Sequence, residues 1–194
     1  MAATPSTMLA LGTQAPDFHL PDVVTGQKRS LRDFVKNKIL LVMFICRHCP
    51  YVKHVQDQLA RIGEEYVPRN VGMVAISSND AGNYPDDSPE SLREMARTLK
   101  FNFPLCYDET QEAAKAYRAA CTPEFYLFNE ERKLAYRGQL DDSRPKNDLP
   151  VTGKDLRAAL EAALTGREPM MEQKPGIGCN IKWKPGNEPD YYSH

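Results

Sequence analysis

The sequence lacks an excess of charge of either sign. Its 194 residues include 25 Lys and Arg against 26 Asp and Glu, for a formal net charge of -1. Such a balance gives no indication of binding to nucleic acid or to an anionic membrane surface. The chain also lacks an apolar run of transmembrane length, and residues 1–16 have neither the basic start nor the apolar core of a signal peptide. We therefore expect a cytoplasmic protein with neither membrane nor nucleic acid as a partner.

Cysteine is scarce and odd in number. Five cysteines spread over 194 residues do not form the dense, even-numbered pattern of a secreted disulfide framework. They fit a reducing compartment, in which a disulfide is transient rather than structural. Internal repeats and low-complexity tracts are absent as well, and the length suits one domain with an appendage.

The hydrophobic pattern predicts alternating strands and helices. A continuous apolar run such as 38–45 is typical of a strand buried on both faces of a parallel sheet, and the apolar spacing after Pro50 predicts an amphipathic helix. The predicted order is β-α-β-α-β-α-β-β-α, with strands at 38–45, 71–78, 104–107, 124–128 and 133–140, and helices at 50–66, 88–99, 110–120 and 153–164. This order predicts a layered α/β fold, with helices on both faces of a sheet that ends in an antiparallel edge.

The two ends of the chain follow a different pattern. Residues 18–31 alternate weakly around a turn, as in a small hairpin. Beyond Gly166 the sequence is rich in Pro and Gly and has no periodicity, which predicts an extended tail that lies on the domain or is partly disordered. We accordingly divide the chain into a flexible amino terminus (1–11), one domain (12–166) and a tail (167–194).

Two cysteines, Cys46 and Cys49, lie where the strand 38–45 gives way to the helix that starts at Pro50. The unpaired N–H groups and the dipole at the start of a helix stabilise a thiolate, which is the reactive form of cysteine. An ordinary cysteine has a pKa of about 8.5, whereas cysteines with this spacing at helix starts have values of roughly 3.5–7.5. We expect Cys46, which precedes the helix and is the more exposed, to be the nucleophile, and Cys49 to resolve the mixed disulfide.

Two basic side chains lie between these cysteines. A cationic Arg47 or His48 near Cys46 favours the thiolate and the reduced form, and therefore makes the pair more oxidising. We count His48 with the catalytic residues and Arg47 with those that contact substrate. For Arg47 the alternative is an ordinary solvated side chain.

Three motifs carry a resemblance to a known family: APDFHL near the amino end, CRHCP after the first long strand, and CTPEFYLF before the antiparallel pair. From Gly12 to Trp183 the chain resembles the thioredoxin superfamily, in particular the redoxin branch grouped with alkyl hydroperoxide reductase/thiol-specific antioxidant (AhpC/TSA) proteins. The resemblance implies a thioredoxin-like three-layer α/β/α domain with a mixed central sheet, an amino-terminal β-hairpin and an extended carboxyl-terminal tail. It further implies that Pro123 is cis and that the backbone of Thr122 pairs with a bound substrate peptide.

The sequence departs from its relatives in two ways. Peroxiredoxins of this superfamily have a proline and a hydroxyl residue seven and three positions before the peroxidatic cysteine, where Cys46 has Ile39 and Met43. Thioredoxins have a buried aspartate in the strand before the cysteine pair, and that strand is wholly apolar here. Other side chains would have to supply a proton relay, and the candidates are Glu124, His48 and Lys53, unless Lys53 is simply solvated.

Three further cysteines and one loop complete the candidates. Cys121, close to the implied cis proline, takes part in redox exchange or is a small buried hydrophobe. Cys106 is expected in the core, and Cys179 in the tail folds back as an extra resolving thiol or has a structural role. Asp142 and Arg144, in the loop after the last strand, line the substrate groove or belong to a solvated turn.

Together these features predict a thiol–disulfide oxidoreductase. Its substrates would be protein or small-molecule disulfides, with an external thiol or reductase as the reductant, and no cofactor or metal is expected. One alternative is a peroxiredoxin-like thiol peroxidase, and another is a protein in which Cys46 and Cys49, with His48 or His54, bind copper(I) or zinc. A redox-inactive binding domain is the third alternative.

Overall fold

The computed structural model describes residues 3–167 and 170–192 as a mixed α/β fold. Residues 1–2, 168–169 and 193–194, which belong to the predicted amino-terminal segment and tail, lie outside the described residues. The strands are β1 Ala3–Pro5, β2 Leu20–Pro21, β3 Lys28–Arg29, β4 Ile39–Phe44, β5 Val71–Ser77, β6 Leu105–Tyr107, β7 Cys121–Thr122, β8 Glu124–Phe128, β9 Leu134–Gly138 and β10 Ile177–Asn180. The α-helices are α1 Pro50–Tyr66, α2 Pro89–Thr98, α3 Glu112–Ala116 and α4 Lys154–Leu164.

Strand β4 lies at the centre of a five-stranded sheet of order β6-β5-β4-β8-β9. β5 pairs parallel with β4 and with β6, whereas β8 pairs antiparallel with β4 and with β9. Every residue of β4 is buried, as expected of a strand that is covered on both faces. This is the mixed sheet with an antiparallel edge that the order of elements predicts.

Helices cover both faces of this sheet, and the alternation of side chains along β4 divides the core in two. Leu41 and Met43 pack on the face of α1, α2 and α4, while Leu40, Val42 and Phe44 pack on the face of α3 and the amino-terminal segment. The buried residues of α1 include Val52, Val55, Leu59, Ile62 and Tyr66, at the predicted helical spacing. The three layers are therefore helix, sheet and helix.

Local sequence explains why two loops converge at one edge of the sheet. β4 ends at Phe44, and Pro50 starts α1 in the first turn, where its missing N–H costs no hydrogen bond. α2 begins after Ser88, whose hydroxyl accepts the Ser91 backbone N–H at 3.3 Å, as predicted for an N-cap. Because β4 and β5 are parallel neighbours, the loop that carries the cysteine pair lies beside the loop that precedes α2. The Arg47 backbone N–H of the first loop donates to Asp87 of the second at 2.7 Å.

Helix α3 is shorter than its prediction. The sequence predicts a helix over 110–120, and the structure has one over Glu112–Ala116 only. Gln111 and Arg118 have left-handed backbone, with φ of 64° and 51°, and therefore interrupt the helix on both sides. Within the described ranges, none of the helices has both the length and the apolar character that crossing a bilayer requires.

The two ends of the chain are paired with each other. β10 lies between β1 and β7 and runs antiparallel to both. The tail is extended on the domain, as predicted, but residues 3–5 form a paired strand where we predicted a flexible segment over 1–11. Strands of three or four residues carry no periodicity, so it is pairing with distant backbone that orders them. The predicted hairpin is present as β2 and β3.

Candidate active site

The sulfurs of Cys46 and Cys49 both contact Thr122, which precedes a cis proline. The Cys46 sulfur lies 3.2 Å from the Thr122 hydroxyl oxygen, and the Cys49 thiol donates to the Thr122 carbonyl oxygen at 3.2 Å. All three residues are buried, and both cysteines are free thiols. The Thr122–Pro123 peptide is cis, as the resemblance implies. The structure thus brings together four residues from two distant motifs.

Negative charge in this group is favoured on Cys49 rather than on Cys46. Hydrogen bonds from the thiols of Cys179 and Cys46 lower the pKa of Cys49 against the effect of burial, and the Val52 backbone N–H of α1 lowers it further. The hydrogen bond with Cys49, burial and the charge of Asp87 raise the pKa of Cys46. This differs from our prediction of an exposed Cys46 with a lowered pKa. The physical reason is that Cys49, not Cys46, is the N-cap residue of α1, while Cys46 is 0% exposed.

Asp87, which the sequence did not single out, organises the loop between the two cysteines. Its carboxylate accepts the backbone N–H groups of Arg47 at 2.7 Å and His48 at 3.1 Å, and the side-chain amide of Asn79 at 2.7 Å. Burial raises the pKa of this carboxyl, but the hydrogen bonds together outweigh burial and the pKa is lowered. Asp87 is 40 residues from Arg47 in the chain. As one of two adjacent aspartates, it carries no local sequence signal that would predict this contact.

His48 and Arg47 have different partners. His48 Nδ1 lies 2.5 Å from an Asp87 carboxylate oxygen, and the imidazole stacks on the Tyr84 ring with centroids 5.6 Å apart. The Arg47 guanidinium is 2.7 Å from the carboxylate of Glu94 on α2. His48 is therefore held beside the cysteine loop, whereas Arg47 is engaged on α2 and its contact with substrate stays a prediction.

Two of the proton-relay candidates are directed away from the cysteine pair. Glu124 is 0% exposed, its carboxyl accepts the Ser6 hydroxyl and, at 2.8 Å, the Ala120 backbone N–H, and burial raises its pKa. The next residue on β8, Phe125, belongs to the core on the α1 side, so alternation turns Glu124 to the opposite face. Lys53 is exposed on α1, which agrees with its explanation as a solvated lysine.

The three other cysteines are buried in different surroundings. Cys106 lies in β6 within the core, as predicted, and burial raises its pKa to about 12. The Cys121 sulfur lies 3.9 Å from the Glu124 carboxyl, and burial raises its pKa well above the ordinary value. Cys179 lies in β10 directly opposite Thr122, and its thiol is hydrogen-bonded to Cys49. Cys179 thus extends the cysteine pair to three thiols in contact.

The loop after β9 lies beside the cis proline, as predicted. Arg144 and Pro123 line the same small cleft, so Arg144 stays a candidate for contact with substrate. Asp142 is instead paired with two lysines, at 2.5 Å from Lys154 Nζ and 2.6 Å from Lys174 Nζ. These surface ion pairs agree with the alternative of a solvated turn for Asp142.

In addition to this site geometry, the chain is similar in sequence to a described protein family. The model of the AhpC/TSA family matches residues 11–137. This chain belongs to the AhpC/TSA family. A thiol:disulfide interchange protein DsbE from Allochromatium vinosum is 24% identical over 123 residues, which cover 63% of this chain and 63% of that protein. The chain therefore spans less than two thirds of that relative's length.

Solved structures share the fold over most of the chain. An uncharacterized conserved protein from Geobacillus kaustophilus has a TM-score of 0.94 at 55% identity, with 96% of this chain and 98% of that chain covered. A hypothetical protein from Sinorhizobium meliloti 1021 has a TM-score of 0.92 at 44% identity, with 94% and 100% covered. A putative thiol:disulfide interchange protein DsbE from Chlorobium tepidum has a TM-score of 0.64 at 18% identity, with 80% and 99% covered. The fold is thioredoxin-like, as the resemblance implies.

Proposed function

We propose that this member of the AhpC/TSA family is a thiol–disulfide oxidoreductase that works through Cys46 and Cys49. The observation that carries the proposal is the contact of both sulfurs with Thr122 beside a cis proline. A dithiol at the start of a helix is suited to exchange with a disulfide, and the relative from A. vinosum is named for thiol:disulfide interchange. Protein or small-molecule disulfides are the substrates, and an external thiol or reductase restores the dithiol.

The exchange takes two steps. The Cys46 thiolate attacks one sulfur of the substrate disulfide in line with the S–S bond, which forms a mixed disulfide and releases the other substrate sulfur as a thiolate that takes up a proton. The Cys49 thiolate then attacks the Cys46 sulfur, which releases the second substrate thiol and leaves a Cys46–Cys49 disulfide. In the dithiol the charge is favoured on Cys49, so Cys46 gives its proton to Cys49 as it attacks, and the Thr122 hydroxyl stabilises the Cys46 anion. Cys49 then passes this proton to the departing substrate thiolate, and the hydrogen bond from Cys179, which lowers the pKa of Cys49, favours the Cys49 thiolate of the second step.

His48 is the candidate for proton transfer at the pair. A ring nitrogen of His48 lies within 4.8 Å of the Cys46 sulfur. Nδ1 is bonded to Asp87, while Nε2 has no hydrogen-bond partner among the described residues. A histidine with one nitrogen oriented and the other available is suited to take up or return a thiol proton.

Mixed-disulfide trapping tests the pair and the role of each cysteine. In Cys49→Ser the adduct on Cys46 cannot be resolved, so we expect a stable covalent complex with a protein disulfide substrate such as insulin. Removal of either sulfur should slow insulin reduction by dithiothreitol by at least about a hundredfold, because one of the two exchange steps is lost. Cys106→Ser, at a buried cysteine in the core, is the matched control and should retain the wild-type rate.

Two results would change this proposal. An adduct that accumulates on Cys49 in Cys46→Ser, and not on Cys46 in Cys49→Ser, would exchange the roles of the two cysteines. Insulin reduction that survives both substitutions would remove the oxidoreductase assignment altogether.

A thiol peroxidase is the second candidate function, and one observation favours it. The sequence has Met43 where peroxiredoxins have a hydroxyl residue, but the Thr122 hydroxyl lies 3.2 Å from the Cys46 sulfur and supplies a hydrogen-bond donor from another element. Consumption of hydrogen peroxide with dithiothreitol, compared with insulin reduction by the same preparation, separates the two activities. Peroxide turnover that is faster than insulin reduction and depends on Cys46 would favour the peroxidase.

A soft-metal site is the third candidate. One ligand atom each from Cys46, His48 and Asp87 lies within 4.8 Å of the others, which is close enough to share an ion. His54, the other histidine that the sequence suggested, has its Nε2 2.7 Å from the Ser143 hydroxyl instead. Stoichiometric zinc or copper in protein purified without a chelator would favour metal binding over exchange.

The cytoplasmic location is part of the same proposal. An odd number of cysteines fits a reducing compartment, in which an external thiol can restore the pair. Fractionation of the source cells tests this location, and recovery of the protein with markers of an oxidising compartment would contradict it.

A further inference from the structure

The tail lies where a substrate peptide is expected. β10 pairs antiparallel with β7, with Cys179 opposite Thr122 and Asn180 opposite Cys121. Under the proposed function, Thr122 is the residue whose backbone pairs with a substrate. Residues 177–183, which we call the strap, therefore occupy the peptide-binding edge in this structure.

The strap fits this edge closely. A side chain at position 178 has no room, because a Cβ built on Gly178 would lie 1.9 Å from the Thr122 carbonyl oxygen. Beyond β10, the Lys182 carbonyl accepts the Asp80 backbone N–H at 2.8 Å, and the Lys182 N–H donates to the Asn79 side chain at 2.8 Å. These bonds hold the strap across the end of β5, next to the cysteine loop.

Cys179 faces the cysteine pair. Cross-strand partners project from the same face of a sheet, and the hydroxyl of its partner Thr122 lies 3.2 Å from the Cys46 sulfur. The Cys179 thiol is hydrogen-bonded to Cys49, receives the Tyr51 backbone N–H, and belongs to a residue that is 2% exposed. In the dithiol form, the hydrogen bond with Cys49 and burial raise the pKa of Cys179. In the Cys46–Cys49 disulfide Cys49 carries no charge, while the Lys182 charge and the Tyr51 backbone N–H, which favour the Cys179 thiolate, are still present.

We propose that Cys179 is a third exchange thiol, which forms a disulfide with Cys49 and thereby fastens the strap over the peptide-binding edge. This inference rests on the proposed function, which supplies the Cys46–Cys49 disulfide. The Cys179 thiolate attacks the Cys49 sulfur, the Cys46–Cys49 bond breaks, and the Cys49–Cys179 bond forms. Cys46 leaves as a thiolate and takes up the proton that Cys179 lost. The number of disulfides is unchanged, so this step consumes neither oxidant nor reductant.

The two disulfides have opposite consequences for the site. With Cys46 joined to Cys49, the strap is held by hydrogen bonds alone and can leave the edge. With Cys49 joined to Cys179, the strap is held covalently, and a peptide cannot pair with Thr122 until an external thiol reduces the bond. Exchange from the Cys46–Cys49 to the Cys49–Cys179 disulfide therefore closes the site, and reduction of the Cys49–Cys179 disulfide reopens it.

Trypsin places each cysteine of this chain in a separate peptide, so disulfides can be assigned by mass spectrometry. The relevant peptides are 39–47 with Cys46, 48–53 with Cys49, 101–115 with Cys106, 119–132 with Cys121 and 168–182 with Cys179. In full-length Cys46→Ser protein oxidised with glutathione disulfide and then alkylated, we expect peptides 48–53 and 168–182 to be joined.

The wild-type protein provides a second measurement. Among molecules with one disulfide, we expect the Cys49–Cys179 link in at least about one tenth, a ratio that corresponds to about 1.4 kcal/mol between the two disulfides. Cys179→Ser should give only the Cys46–Cys49 link, and Cys106→Ser, the matched control, should give both. Trp183, the single tryptophan and the last residue of the strap, is 8% exposed, so its emission checks that each variant keeps the strap folded.

The outcomes separate this inference from the proposed function. If the Cys46–Cys49 disulfide forms in wild-type protein but peptides 48–53 and 168–182 are joined in neither protein, the inference is wrong and the oxidoreductase assignment stands. If wild-type protein forms no Cys46–Cys49 disulfide, the proposed function fails, and the exchange that starts from this disulfide fails with it. Should Cys46→Ser not fold, the wild-type measurement decides alone.

Discussion

A single buried carboxylate, Asp87, controls the electrostatics of the loop that carries the cysteine pair. It accepts hydrogen bonds from the backbone of Arg47 and His48 and from Asn79, and its charge raises the pKa of Cys46. Folding lowers the pKa of Asp87 itself. Its contribution to stability is therefore complete above the unfolded-state value of about 3.9 and is lost as the pH falls through the lower folded value. Asp87 thus links the order of the loop to the reactivity of the thiol.

Asparagine at position 87 removes the charge and keeps the size of the side chain. We expect Asp87→Asn to lose about 1–3 kcal/mol of unfolding free energy, because buried N–H groups lose a charged acceptor, and to lower the pKa of Cys46. Urea unfolding measures the first effect, and the pH dependence of alkylation in peptide 39–47 measures the second. Asp86→Asn, at an exposed neighbour, is the control and should change stability by less than about 0.5 kcal/mol. Equal effects of the two substitutions would contradict this role.

Among the elements, β10 controls access to the cysteine pair. It is a short strand between two others, and one of its partners is the strand that carries Thr122. Its position depends on the absence of a side chain at Gly178, where β10 and β7 approach too closely for a Cβ. A methyl group there would separate the two strands and leave the remainder of the sheet intact.

Gly178→Ala should therefore open the site in the folded protein. We expect the alkylation rate of Cys49 to rise at least about tenfold, since a shift of about 1.4 kcal/mol in the opening equilibrium is sufficient for that, and Trp183 emission to shift to the red. Ile177→Ala, at an adjacent residue of β10 that is 37% exposed, is the matched control and should behave as wild type. Unchanged alkylation in Gly178→Ala would show that β10 does not limit access to Cys49.

In the molecule as a whole, a second buried carboxyl makes stability depend on pH, in the sense opposite to that of Asp87. Glu124 is completely buried, its carboxyl accepts hydrogen bonds from Ser6, Ala120 and Cys121, and burial raises its pKa. Between the unfolded value of about 4.3 and the higher folded value, the native state holds a proton that the unfolded state has lost. This group therefore makes stability decrease as the pH rises through that window.

Glu124→Gln removes this titration, because an amide stays neutral. We expect the variant to gain stability relative to wild type as the pH rises. The difference in unfolding free energy, variant minus wild type, should be larger at about pH 8 than at about pH 5, because only the wild type must bury a charge or retain a proton. Urea unfolding of both proteins at the two pH values measures this difference. Glu130→Gln, at an exposed residue, should show no such pH dependence, and a wild-type-like slope in Glu124→Gln would refute the argument.

The features that were predicted correctly depend on residues close together in the chain. The buried strand at 38–45 and the helix from Pro50 follow from apolar periodicity and from the geometry of proline, and together they place Cys46 and Cys49 at one edge of the sheet. Ser88 was predicted as a cap because capping involves the next three residues only. For the cis peptide at Pro123 the prediction required the family resemblance.

The sequence by itself determined the order of elements, the layered α/β fold and the position of the cysteine pair, because periodicity and turn chemistry act over a few residues. Only the tertiary structure decided that Asp87 binds the cysteine loop, that the tail occupies the edge at Thr122, and that Cys179 contacts Cys49. Those contacts join segments more than thirty residues apart, and neither a single carboxylate nor a four-residue strand leaves a periodic signal. Long-range backbone pairing and burial determine them, and with them the charge on each thiol.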